Sequence, residues 1–243
     1  KTKDLTMNHS FLKKQILAVM LVSASFCSKP PENKQSVSAI FIKGKAAVIS
    51  SAGEHPLKKG DVLNSGDVIS TGEKSAVIIE TGSISGQLEI QSNSKLKVES
   101  TLKGYEFFLE AGNVWISVNK LSKDQEFKLK TPTTVAGVRG TKFYTFNQGE
   151  MTGTCHCEGQ IEYSNNMSHK SEVNSGDYLV IHKGDISITV KEEDFKKAGI
   201  KFYGHNHSEM DDSSLGPKNG MTEEEHSKVR QLIAQKFQDL EKK

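Results

Sequence analysis

The chain has little of what marks several protein classes. Among its 243 residues there are three cysteines, one tryptophan and five prolines. The apolar run near the amino terminus, Ile16 to Val22, is too short to span a bilayer as a helix. The formal net charge is only +2, and no basic stripe with interleaved aromatics occurs, which argues against a nucleic-acid partner. The Cys-x-x-Cys-His order needed for haem attachment is absent. No nucleophile, carboxylate pair or phosphate-cradling glycine loop stands in a context that supports catalysis, so an enzyme is not expected. Apolar residues make up 35% of the chain and mean hydropathy is −0.49, which predicts a core domain with polar tails.

What is present begins with an export pattern. Met7 reads as the true start, followed by Lys13 and Lys14 and then the short apolar run, as in a cleaved signal peptide. Ala24-Ser25-Phe26-Cys27 resembles a lipoprotein cleavage site with Cys27 as the lipidated residue, although Phe26 stands where a small residue is usual. The competing reading is ordinary cleavage after Ser25. Residues 1–26 carry four Lys and one Asp, so their removal leaves the remainder near −1. On this reading 1–26 is the leader and 27–36 is a tether that holds the protein to a membrane through several acyl chains.

From Ser36 onward the chain alternates as half-buried strands do, with Val37, Ala39 and Phe41 assigned to one face. Short apolar runs recur at Ala46 to Ile49, Ala76 to Ile79, Gly86 to Ile90 and Leu96 to Val98. Each is too short for a helix. In Glu106 to Val118 the residues Val114, Ile116 and Val118 share a face, with Trp115 and Ser117 opposite. Trp115 is read as a sheet-packing residue, with a binding face as the lesser alternative. The pattern predicts an all-β fold, a sandwich, a roll or a solenoid-like stack of short strands, with a C-terminal α-helical appendage.

The chain around residues 131–143, Thr-Pro-Thr-Thr-Val-Ala-Gly-Val-Arg-Gly-Thr-Lys-Phe, reads by itself as an inter-strand loop punctuated by Pro132, Gly137 and Gly140. Arg139 within it is read chiefly as a partner for a neighbouring carboxylate. The flanking motifs add specificity: Leu57-Lys58-Lys59-Gly60-Asp61, Gly66-Asp67-Val68-Ile69-Ser70-Thr71-Gly72, Glu158-Gly159-Gln160-Ile161 and the later Gly176-Asp177. Together with the Thr-Pro stretch this order resembles the FecR-type domain family over roughly Val37 to Val190. The resemblance implies a fold and a cell-envelope setting, periplasmic or surface, more than an activity. The family's regulators pair the domain with a cytoplasmic anti-sigma part and a transmembrane helix. Neither pattern is read here, so direct sigma-factor control is not the expectation.

The departure from a plain β domain is Cys155-His156-Cys157. In a strand, residues two apart share a face, so the cysteines lie side by side with His156 opposite. Disulfide geometry at that spacing is strained. Later comes His205-Asn206-His207. Cys155, Cys157, His205 and His207 can supply a tetrahedral zinc site, with Cu(I) as the alternative because thiolate is a soft ligand. Against this, the cysteines can be small buried side chains and the histidines part of a solvated segment. His156 or His182 could replace one member of the set, whereas His55, His169, His182 and His226 read individually as surface residues.

Residues 191–243 form the tail beyond the 37–190 β domain. A short helix is expected from Glu192 to Ala198 with Gly199 as its stop, then a linker at Met210 to Gly220. Thr222 and Glu225 make a capping box for a second helix. Its apolar stripe, Val229, Leu232, Ile233, Phe237 and Leu240, is assigned to packing on the parent domain. The functional expectation is therefore a non-enzymatic, membrane-anchored binding or signalling-related envelope domain with a Cys/His metal site and an envelope protein as partner. The alternative is an envelope metal-handling protein in which the β domain is a scaffold.

Overall fold

The computed structural model describes residues 36–101, 103–119, 121–175, 179–200, 207–209 and 222–242. The leader, Cys27, His205, the closing Gly176-Asp177 and the linker at 210–220 lie outside them.

Hairpins alternate between two sheets. β1 (Val37–Lys43) lies in sheet A, and β2 (Ala46–Ser50) with β3 (Gly53–Pro56) in sheet B. β4 (Val62–Leu63) returns to A and β5 (Val68–Thr71) to B. β6 (Ala76–Thr81) and β7 (Gly86–Ile90) pair in A, and β8 (Lys95–Thr101) joins B. After the long β9 (Gly104–Val118), β10 (Glu126–Lys130) and β11 (Thr134–Val138) extend B, and β12 (Thr141–Gln148) and β13 (Met151–Glu158) extend A. β14 (Ile161–Asn165) and β15 (Ser171–Asn174) then complete B, while β16 (Leu179–Lys183) and β17 (Ile186–Val190) complete A. The sheet orders are β4-β1-β6-β7-β9-β12-β13-β16-β17 and β3-β2-β5-β8-β9-β10-β11-β14-β15. The fold is all-β, a sandwich whose layers follow one another along the chain as in a stack.

β9 belongs to both sheets. Its first half pairs with β8 and β10, its second with β7 and β12, and the strand passes between them at Gly112 (φ 89°). A Cβ there would stand 2.2 Å from Ser94 Oγ and 2.5 Å from Ser94 Cα, so both the backbone angle and the close approach require glycine. The core between the sheets is filled by such residues as Leu88, Phe107, Leu109, Ile116, Phe127 and Phe143.

Two consecutive Leu-x-x-Gly-Asp segments form the same turn. Asp61 Oδ2 accepts from the Lys58 amide at 2.8 Å, and Asp67 Oδ2 accepts from the Asn64 amide at 2.7 Å. In each the glycine before the aspartate has positive φ. The carboxylate closes the turn as a short polar side chain does, and a positive-φ glycine lets the backbone return.

Two expectations are corrected. The Thr-Pro stretch is not a loop: Thr134–Val138 is a strand paired on both sides, with β10 and β14. Only the tight turn at Thr131 to Thr133 and the crossing at Arg139-Gly140 are irregular, because β-branched residues dominate between the turn residues. Phe41 does not share a buried face with Val37 and Ala39; it is exposed, because a bulge between Ala39 and Phe41 reverses the alternation.

α1 (Glu192–Lys197) ends at Ala198 with Gly199 at φ 69°, a left-handed stop. α2 (Glu223–Glu241) is capped by Thr222, whose hydroxyl accepts from the Glu225 amide at 3.2 Å while Glu225 Oε2 accepts from the Thr222 amide at 2.8 Å. Its stripe packs on the outer face of sheet A, with Ile233 buried among Ile181, Ile188, Val190 and Phe195 and with Val229, Leu232 and Phe237 beside it. Leu240, the last position of the expected stripe, is exposed. Lys236 Nζ to Asp194 Oδ2 at 2.7 Å joins the two helices. Burial raises the Asp194 carboxyl, but the hydrogen bonds from Lys236 and the Lys191 amide, with the charges of Lys236 and Lys197, together outweigh it and hold the group below its usual range. No described helix is long and apolar enough to cross a membrane.

Candidate metal centre

The site grows from a single row across the outer face of sheet A. Glu89, Trp115, Tyr144, Cys155 and Leu179 are successive register partners on β7, β9, β12, β13 and β16. Paired residues project to the same face. Trp115 is thus buried by what covers the sheet and not by the inter-sheet core.

Cys155 and Cys157 both face this outer side, packed with Leu179, Ile181 and Val190. Lys142 pairs with Glu158 and Phe143 with His156, so Cys157 is the extra residue of a β-bulge. The bulge bends the strand and re-aims its side chains. The two sulfur atoms stand 3.9 Å apart as thiols. Two thiolates sharing one tetrahedral zinc at 2.3 Å would be separated by about 3.8 Å. The strand therefore holds the pair at the edge length of a metal tetrahedron.

His207 is brought in from the tail. Its ring stacks on Tyr144, with centroids 4.3 Å apart and planes 4° from parallel, and lies 5.2 Å from the Trp115 ring. The donor atoms of Cys155, Cys157 and His207 all lie within 4.8 Å of one another. The short segment at 207–209 is fixed by a buried carboxylate: Glu89, at 0% exposure, accepts from Ser208 Oγ at 2.7 Å and from the Glu209 amide at 2.8 Å. Gln91 donates to the His207 carbonyl. Glu209 in turn accepts from the Ser92 amide and hydroxyl, at 3.1 and 2.9 Å. Burial, reinforced by Glu209 and Cys155, raises the Tyr144 phenol far above its ordinary range, keeping it neutral beneath the imidazole.

Cys155 and His207 also line a cavity of about 920 Å³ between sheet A and α2, with Phe146, Met151, Phe195 and Phe237 among its apolar walls. Two thiolates and an imidazole, with Cys155 and His207 facing such a space, can bind a soft or borderline cation and leave a coordination position exchangeable.

Of the expected ligands, the structure brings together Cys155, Cys157 and His207; His205 lies outside the described residues. His156 and His182 cannot substitute, because both face the interior on the opposite side of sheet A. His182 is buried, not a surface residue: only 2% of it is exposed, with Nδ1 2.7 Å from Ser187 Oγ. His55, His169 and His226 are exposed as expected. Arg139 is exposed and forms no ion pair among the described residues, so the expected carboxylate partner is not found. Sequence reasoning missed Glu89. Its one signal was a charged residue inside the apolar alternation of Gly86 to Ile90, at a position that must face a covered surface.

Inside the sandwich, the motif threonines form a separate polar cluster. Thr133 Oγ donates to Thr152 Oγ at 2.6 Å, Thr152 Oγ to Thr131 Oγ at 2.9 Å, and Thr131 Oγ accepts from the Thr134 amide at 3.0 Å. These hydroxyls satisfy one another and fix the turn.

No curated protein matches the chain. Two crystal structures, at 2.50 and 1.65 Å, of a proposed anti-sigma factor from Parabacteroides distasonis resemble it at TM-score 0.45 and 14% identity. The alignments cover 51% and 54% of this chain and 59% and 63% of theirs, so the chain spans less than two thirds of either. The family described as FecR protein matches residues 67–162, which include both cysteines but not His207. With the turns at Gly60-Asp61 and Gly66-Asp67, the Thr-Pro hairpin and the layered sheets in place, residues 67–162 of this chain are a FecR domain.

Proposed function

We propose that the chain is a non-enzymatic FecR-domain protein of the bacterial envelope. On this reading it is exported through residues 1–26, anchored to a membrane at Cys27 and tethered by 27–36, with a soft-metal site at Cys155, Cys157 and His207. The observation that carries the metal is the pair of sulfurs at 3.9 Å with an imidazole inside the same 4.8 Å cluster. Zinc is the first expected occupant and Cu(I) the second, since both accept thiolate and imidazole. A binding role is favoured over catalysis because the buried hydroxyls of the Thr131, Thr133 and Thr152 cluster are spent on one another. The partner on this reading is another envelope protein.

Elemental analysis of the purified chain under reducing, metal-replete conditions tests this. One equivalent of metal in the parent, lost in a Cys155→Ser/Cys157→Ser variant, is the expected result. Absence of metal from both would leave a tethered β interaction domain. Fractionation of cells expressing Cys27→Ser should move the protein from the membrane to the soluble envelope fraction.

The cavity favours a second reading, metal handling. Cys155 and His207 form part of its wall, so a metal there could exchange. Rapid transfer to a competing chelator would support handling, whereas retention for hours would support a structural metal.

A further inference from the structure

The metal reading leaves unexplained why a carboxylate is wholly buried three strands from the thiols. The oxygens of Glu89 reach the tail, 119 residues later at Ser208 and 120 later at the Glu209 amide. Burial of a carboxylate is costly unless charge-assisted hydrogen bonds offset it. Here those bonds come from the two residues that follow His207. Gln91, two positions along the same strand, holds the His207 carbonyl, so the clasp sets both ends of the short segment. The row of register partners then carries the imidazole over Trp115 and Tyr144 toward Cys155.

We propose that Glu89 is a positioning residue for the metal site, and that the site is a latch: metal binding and closure of residues 207–209 onto sheet A are one coupled equilibrium. The proposal rests on the metal reading above. The thiols lie on β13 inside the FecR domain, whereas the imidazole lies in the tail, so a cation bound by all three can close only the docked form. By linkage, metal at about 100 times its dissociation constant shifts the docked-to-undocked ratio about 100-fold. The same coupling runs in reverse, and loosening the clasp must weaken the metal. Residues 207–209 are thereby held on sheet A or released from it according to metal supply.

The test titrates Zn²⁺, and Co²⁺ as a spectroscopic probe, into the reduced full chain. Trp115, the sole tryptophan, reports docking by fluorescence, and hydrogen exchange at the Glu209 amide reports the clasp. In the parent, Zn²⁺ should slow that exchange and change Trp115 emission in step with occupancy. Glu89→Gln should bind one equivalent about 10- to 100-fold more weakly, as loss of an orienting outer partner does. Its thiolate-to-Co²⁺ charge-transfer band should persist, showing the sulfurs intact. Ser208→Ala, which lies outside the sheets, should lose about tenfold and guards against misfolding of the first variant. Unchanged affinity in Ser208→Ala and Glu89→Gln, or metal binding with no change in Glu209 exchange, would overturn the latch while leaving the metal site standing. No binding by the parent would overturn the metal reading itself.

Discussion

His182 illustrates how one buried residue sets a pH limit. Its ring lies between the sheets, 6.0 Å from Tyr163, and its Nε2 has no hydrogen-bond partner among the described residues. Burial lowers its pKa from 6.5 to about 4. The unfolded chain therefore binds a proton in that window that the folded chain does not, so stability is fully present above pH 6.5 and declines as pH falls toward 4. The whole effect is at most about 3 kcal/mol. Denaturant melts from pH 7 to 4 should show this slope, and His182→Gln should flatten it. Gly112 limits substitution just as locally. Gly112→Ala combines a positive φ with a Cβ 2.5 Å from backbone. It should cost roughly 2–4 kcal/mol, read as a lower urea midpoint at unchanged slope.

At the scale of the element, α2 depends on the face it covers. A capped helix of this length is marginal alone, and most of its stability comes from the buried stripe. Among the described side chains of α2, Ile233 is the one buried residue. Ile233→Ala should remove about 2–3 kcal/mol from docking, and hydrogen exchange should accelerate in α2 before it does in the strands. Thr222→Ala breaks the capping box at a cost of about 1 kcal/mol, confined to the first turn. These two variants separate the helix's contact with sheet A from its own integrity. The same elements show where pattern reading succeeds: the capping box and the Gly199 stop depend on residues within one turn of each other. It fails at the bulge near Ile40, where one extra residue reverses the faces and only the pairing partner reveals it.

For the whole molecule, ligand linkage supplies the prediction. If the metal binds only the folded form, Zn²⁺ at about 100 times its dissociation constant adds about 2.7 kcal/mol. A chelator should lower Tm correspondingly, and a Cys155→Ser chain should melt at one temperature with or without zinc.

The sequence by itself determined that this is a β protein, the Gly-Asp turns, the FecR order, both helices of the tail and the identity of the donor side chains, because period-2 alternation, turn chemistry and capping act over a few residues. Only the tertiary structure decided that the Thr-Pro stretch is largely a strand, that His182 is buried, and that His207 meets Cys155 and Cys157. It also decided that Glu89 clasps the segment carrying His207. Each of those facts joins residues far apart in the chain, and sheet register, which no local pattern encodes, is what brings them together.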